Sequence, residues 1–187
     1  MITSRPDLRI REQTDKGSPK VIEGCFIRFN EQTELWSNYF EEIAPEAVTS
    51  SLSHDIKCLF NHERGSVLGS SGNKTLELWV DSKGLWGRVE INENDTEALN
   101  VYARVERGDI NTWSLGFWPT KEEIDYRDDG TTHFRILDMD LSEISIVAFP
   151  AYENTNVEAR QKQVAKMRDA DFNTKRKALL KKYGTGE

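Results

Sequence analysis

Ser114 stands in Thr112-Trp113-Ser114-Leu115-Gly116-Phe117-Trp118-Pro119, where large apolar side chains alternate with small or polar ones. A period of two is the pattern of a half-buried strand. It turns Trp113, Leu115 and Phe117 to one face and Ser114 and Gly116 to the other. Gly116, lacking a side chain, leaves room beside the hydroxyl for a substrate carbonyl. The same alternation also fits a solvent-facing serine on an ordinary strand, so Ser114 needs partners before it means chemistry. A hydroxyl is a poor nucleophile until a base removes its proton during attack, and imidazole has a suitable pKa. A carboxylate or second polar group then holds that imidazole in the productive tautomer.

The chain has three histidines, His54, His62 and His133. His62 ends an apolar run, Ile56-Lys-Cys-Leu-Phe60, and is flanked by Asn61 and Glu63, a position suited to an imidazole at a cleft; a surface-loop histidine fits the same position. His54 lies in a polar turn and His133 in the outward half of a hairpin, and both are expected to be solvated. For the third group, Glu143 interrupts the otherwise apolar strand Leu141-Ser-Glu-Ile-Ser-Ile-Val-Ala-Phe149, where a buried charge is costly unless paired. Ile144 and Ile146 take one face of that strand, Glu143 and Ser145 the other. Asp138 and Asp140 would serve chemically as well, and a glutamate facing water from an edge strand is equally consistent. Spacing alone does not bring His62, Ser114 and Glu143 together.

The elements that must position these residues are mostly strands. Val21–Phe29, Leu35–Ile43, Ile56–Phe60, Thr75–Val80 and Leu85–Ile91 are rich in β-branched and aromatic residues. Asp81–Gly84 and Arg127–Gly130 read as hairpin turns, the second through its Asp-Gly. Pro45–Val48 suits a short helical turn with proline near its start. Asn94 as N-cap, Glu97 three residues on and Gly108 as C-cap bracket an amphipathic helix carrying Ala98, Leu99, Val101, Tyr102 and Val105. That helix feeds directly into the Ser114 strand. The pattern predicts a mainly β, α+β fold, a small β-barrel or sandwich with helices packed outside.

The 187 residues allow one domain with a real core. Residues 1–20, with five basic and three acidic side chains, read as a mobile arm, and 158–187, with nine basic and four acidic, as a charged helical tail. The total of −7 then leaves −14 on the residues between. An acidic body argues against nucleic-acid binding. No apolar stretch is long enough to span a bilayer, and the first residues lack a signal-peptide core, so a cytoplasmic protein is expected. Cys25 and Cys58 are expected to be reduced and buried. A Cys58-based hydrolase and a metal site at Cys58/His62 find little support, because no second Cys/His pair stands at zinc-like spacing. No cofactor is expected.

Asn61-His62-Glu63 after a strand, Trp113-Ser114-Leu115-Gly116-Phe117, and Leu141-Ser-Glu-Ile-Ser-Ile-Val-Ala-Phe-Pro-Ala151, in that order, resemble the HK97-type phage prohead (capsid maturation) serine proteases. The resemblance covers about residues 21–157. It implies a β-barrel surrounded by helices, similar to herpesvirus assembly proteases, with Ser114 as nucleophile, His62 as base and Glu143 as the acidic member, although herpesvirus relatives use a second histidine there. The family's motif histidine is often followed by Asp where this chain has Glu63. Arg64 and backbone N–H groups near Ser114 are the oxyanion donors it suggests. The implied function is endopeptidase cleavage of scaffold, or of the scaffolding segment of the major capsid protein, with self-cleavage and self-association, inside the procapsid in the host cytoplasm. The alternative is a non-catalytic internal scaffold that uses the basic tail for docking.

Overall fold

The computed structural model describes residues 8–10 and 18–149, with Thr174 and Lys177 helical and exposed. Contacts divide the chain into residues 1–150 and 151–187. The rest of the expected 158–187 tail lies outside the described residues.

The described residues of the first unit form ten strands and one α-helix: β1 (Arg9–Ile10), β2 (Val21–Arg28), β3 (Thr33–Trp36), β4 (Tyr39–Ile43), β5 (Lys57–Phe60), β6 (Glu63–Ser70), β7 (Leu76–Val80), β8 (Gly84–Glu90), α1 (Thr96–Arg107), β9 (Thr112–Tyr126) and β10 (Thr132–Val147). The expected helical turn at Pro45–Val48 is a 3₁₀ turn, and a second follows at Ser51–Ser53. Part of the segment read as an arm is docked: β1 pairs antiparallel with β2, and Leu8 is buried.

The mainly β reading holds, but the barrel does not. One sheet has the order β1-β2-β8-β7; the other runs β3-β4-β10-β5-β6, with β9 on the remaining edge of β10. Consecutive strands β6 and β7 fall in different sheets, and among the described residues no ladder joins the two sheets into a closed cylinder. Their facing sides instead share one core. Ile22, Leu85 and Val89 come from the first sheet, Cys58, Ile136, Ile144 and Ile146 from the second, and Ala98, Val101, Tyr102 and Val105 from α1. Among the described residues of this unit α1 and the two 3₁₀ turns are the only helical cover, which is less than an enclosing layer. No described helix is long and apolar enough to cross a membrane.

Helix α1 is capped as its sequence requires, one residue later than expected. Asp95, not Asn94, is the N-cap, its carboxylate accepting from the N–H groups of Glu97 and Ala98. Both residue types suit a cap, and Asp95 has the extended backbone that points its side chain at the first turn. Gly108, at φ 85°, closes the helix in the left-handed region.

Strand β10 organises the second sheet. Along one edge it pairs with β9 from Thr132 to Val147, and along the other it meets β4 and then β5, both parallel. Between Ile136 and Glu143 that second edge has no strand partner. Ser51 fills the gap: its buried hydroxyl donates to the Met139 carbonyl (2.6 Å) and accepts from the Leu141 N–H (2.8 Å). Buried backbone groups need such partners.

Candidate active site

The register of β9 on β10 sets Ser114 opposite Ser145 and Gly116 opposite Glu143. A bulge at Ser142 makes this possible. Met139 and Leu141 point into the core, and so do Ile144 and Ile146, two odd positions followed by two even ones. Strict alternation cannot bury both sets. The extra residue, Ser142, takes up the change of phase, and its exposed hydroxyl donates to the Gly116 carbonyl at 2.8 Å. Beyond the bulge Glu143 and Ser145 share the face of Ser114, opposite the core. Bulges re-aim side chains in this way beside functional sites.

His62 reaches the same place from β5. Asn61 and His62 form the two-residue turn between β5 and β6, with φ of 50° and 61° and Phe60 paired with Glu63 across it. Positive φ at both central residues is what a tight hairpin turn asks for, and Asn and His tolerate it better than most side chains. The turn is tied to the end of β10. Asn61 N–H donates to the Ile146 carbonyl (2.9 Å), and its side-chain oxygen accepts from the Ala148 N–H (3.0 Å). The His62 N–H donates to Ser145 Oγ at 3.2 Å.

Three side chains from three strand regions therefore converge. His62 Nε2 lies 2.8 Å from Ser114 Oγ, and His62 Nδ1 lies 2.7 Å from Glu143 Oε1. Ser145 Oγ donates to the second carboxylate oxygen, Glu143 Oε2, at 2.6 Å. An ionised carboxylate only accepts, so the Nδ1 proton belongs on the Glu143 side and Nε2 is left to accept from the Ser114 hydroxyl. The imidazole side chain is 32% exposed and the carboxylate 15%, so the relay is sheltered while the ring at its centre still meets solvent.

The room at Gly116 serves a different purpose from the one expected. A Cβ there would overlap the Glu143 side chain at Oε1, Cγ and Cδ. The missing side chain lets the carboxylate of Glu143 lie across β9; it does not leave a bare face for substrate. On the other face, Trp113 packs edge-on against Phe26 of β2, ring centroids 4.2 Å apart, and anchors β9 to the core.

The other candidates lie elsewhere. Asp138 accepts from Thr120 Oγ1 (2.5 Å) and Ser50 Oγ (2.7 Å), bonds that hold its carboxyl below the usual carboxylate range, and Asp140 is exposed. His54 is exposed in its turn. His133 is half-buried and not solvated: it stacks on Phe40 at 4.8 Å and meets Thr131 Oγ1 through Nε2. Glu63 and Arg64 are exposed on β6. Both cysteines are buried. Cys58 belongs to the core, where burial, reinforced by the negative charge of Glu143, pushes its thiol up and keeps it protonated. A thiol in that form is no nucleophile, which removes the cysteine hydrolase reading. Among the described residues no cluster of three or more His, Cys, Asp or Glu side chains is arranged to hold a metal. Ser145 was visible in the sequence as the polar neighbour of Glu143, but nothing in the spacing gave it two partners.

The family model for the caudovirus prohead serine protease matches residues 6–170. This chain belongs to that family. The prohead protease of Escherichia phage T5 is 29% identical over 109 residues, which are 58% of this chain and 47% of that protein. The chain thus spans about half the length of the curated relative it matches. Among solved structures, the bacteriophage T4 capsid assembly protease, gp21, aligns at 12% identity and a TM-score of 0.46, over 74% of this chain and 90% of that one.

Proposed function

We propose that this chain is a serine endopeptidase of procapsid maturation, with Ser114 as nucleophile, His62 as general base and acid, and Glu143 orienting the imidazole. The observation that carries the reading is the continuous hydrogen-bonded relay from Ser114 Oγ through His62 to Glu143, at 2.8 and 2.7 Å. As Ser114 Oγ attacks a peptide carbonyl carbon, its proton passes to Nε2, and Glu143 stabilises the imidazolium that forms. Collapse of the tetrahedral intermediate breaks the C–N bond, and Nε2 returns the proton to the leaving amine. Water then attacks the acyl-enzyme, giving its proton to His62, and Ser114 recovers that proton as the acid leaves.

Membership of the prohead serine protease family supports a substrate among the proteins of the immature shell. The major capsid protein's scaffolding segment, or a separate scaffold, is the proposed target, met inside the procapsid in the host cytoplasm. The chain's own polar ends are further targets, and self-association is part of the same proposal. Co-expression of Ser114→Ala with the major capsid protein tests the chemistry: full-length capsid protein should accumulate, and normal processing would remove Ser114 from the mechanism. Mass spectrometry of the purified wild type and of Ser114→Ala tests the self-cleavage. Trimming in the wild type alone supports the peptidase, whereas trimming in neither favours the internal scaffold.

A further inference from the structure

We propose that Ser145 is a positioning residue, a fourth side chain that locks Glu143 and the His62 turn into one unit. The inference rests on the peptidase reading above and adds to it. Ser145 is fully buried, and it is the residue of β10 directly opposite Ser114 on β9. A hydroxyl has one proton to give and two lone pairs to receive with. The proton goes to Glu143 Oε2 at 2.6 Å, and a lone pair takes the His62 N–H at 3.2 Å.

Each bond fixes a different degree of freedom. Glu143 could pivot about its last torsion, swapping its oxygens or turning from His62. With Oε2 held by Ser145, Oε1 stays aimed at Nδ1. His62 sits in a two-residue turn at positive φ, and the bond from its own N–H to Ser145 sets how far the ring stands from β9. The bulge at Ser142 brings both groups within reach of one hydroxyl, because Glu143 and Ser145 lie two residues apart on one face. The backbone of His62 and the carboxylate that orients its ring are thus referred to the same atom. Alanine at this position would leave both bonds unmade while leaving the side chains of Ser114, His62 and Glu143 themselves unaltered. Ser145 does not touch the reacting atoms itself; it acts through the base and its carboxylate.

A fluorophosphonate probe tests this without knowledge of the natural substrate. Ser114 Oγ attacks phosphorus, the P–F bond breaks, fluoride leaves and His62 takes the proton, so the maximal labelling rate reports how well the relay is aligned. For Ser145→Ala the expected result is a roughly tenfold lower maximal rate at an unchanged half-saturating probe concentration. Ser145→Thr keeps the hydroxyl and should recover most of that rate. A purely structural serine would lower the melting temperature and leave the rate alone, and that outcome overturns the proposal; so does a Thr variant as slow as Ala. Should the Ala protein not accumulate in folded form, Ser145→Cys, of nearly the same size and a weak donor, takes its place with the same expectation. Ser114→Ala separates the two layers of inference. Labelling that survives Ser114→Ala, or a wild type that is not labelled, overturns the nucleophile assignment and this proposal with it. Loss of labelling in Ser114→Ala beside a wild-type rate in Ser145→Ala overturns only the role of Ser145.

Discussion

The tautomer of His62 depends on a single carboxylate. Glu143 accepts from Nδ1 and thereby leaves Nε2 free for the serine proton. Glu143→Gln presents an amide whose N–H₂ can turn to the ring and favour the wrong tautomer, and a loss of about 10⁴-fold in kcat is expected. Asp138→Asn, remote from the relay on Ser50 and Thr120, should leave cleavage within a few-fold of wild type. Rates for the two variants side by side decide which acid is the third member. Gly116→Ala is a sharper probe of the same geometry. Its methyl group would displace the Glu143 side chain, and a misplacement of about 1 Å can cost about 10²-fold in rate. Wild-type activity in the Gly116→Ala enzyme would mean that the carboxylate need not lie across β9. Ser114, His62 and Glu143 were legible as a set in the sequence through the order of the three family motifs, since locally each also suits an ordinary solvent-facing position. Ser145 drew no notice, since a polar residue beside Glu143 is what an outward face should carry.

At the scale of the element, the site depends on how β10 is partnered. Its Met139–Leu141 stretch lies between the ends of two parallel neighbours, and the Ser51 hydroxyl stands in for the missing strand. Ser51→Ala would leave the buried Leu141 N–H unsatisfied and the Met139 carbonyl with only the long 3.4 Å bond from Ser50 Oγ, at a cost of about 1–3 kcal/mol. Denaturant titration should show the midpoint falling at unchanged slope, and a wild-type midpoint would mean water or a backbone shift replaces the hydroxyl. Local pattern revealed β2, β5, β7 and β8, the Asp-Gly turn and α1 to within one residue at its start, because turn chemistry and periodicity are written within a few residues. It did not reveal that β9 and β10 each run on as one long strand. Pro119 and the Asp138-Met139-Asp140 stretch fall where the ladder shifts register and continues. Nor did it reveal which strands pair. That β10 lies between β4 and β5 on one edge and β9 on the other is decided by residues up to 93 apart in sequence, as with Arg135 and Glu42, and the open pair of sheets in place of a barrel follows from the same long-range choices.

Taken whole, the first unit is held together partly by carboxylates whose ionised form is preferred in the folded state, so acid should loosen it. Asp55 is the clearest case. Lys57 Nζ at 2.5 Å, Ser70 Oγ at 2.5 Å and the Gly72 N–H at 2.9 Å converge on its carboxylate and join the start of β5 to the connection between the two sheets. Held first by the Lys57 bond, then by Ser70 and Gly72, its pKa falls from 3.8 to about 2. A group lowered on folding stabilises the native state above its unfolded pKa, and that contribution fades as pH drops through the folded value. Asp55→Asn should therefore melt below the wild type at pH 7, and the gap should close between about pH 4 and pH 2. Asp81, Asp129 and Asp138 are also held low by hydrogen bonds, so both proteins weaken in acid and only the difference between them reports Asp55. Thermal melts at pH 7, 4, 3 and 2 read that difference directly. A gap that persists unchanged at pH 2 would place the worth of Asp55 in its shape and neutral hydrogen bonds, with no share for its charge.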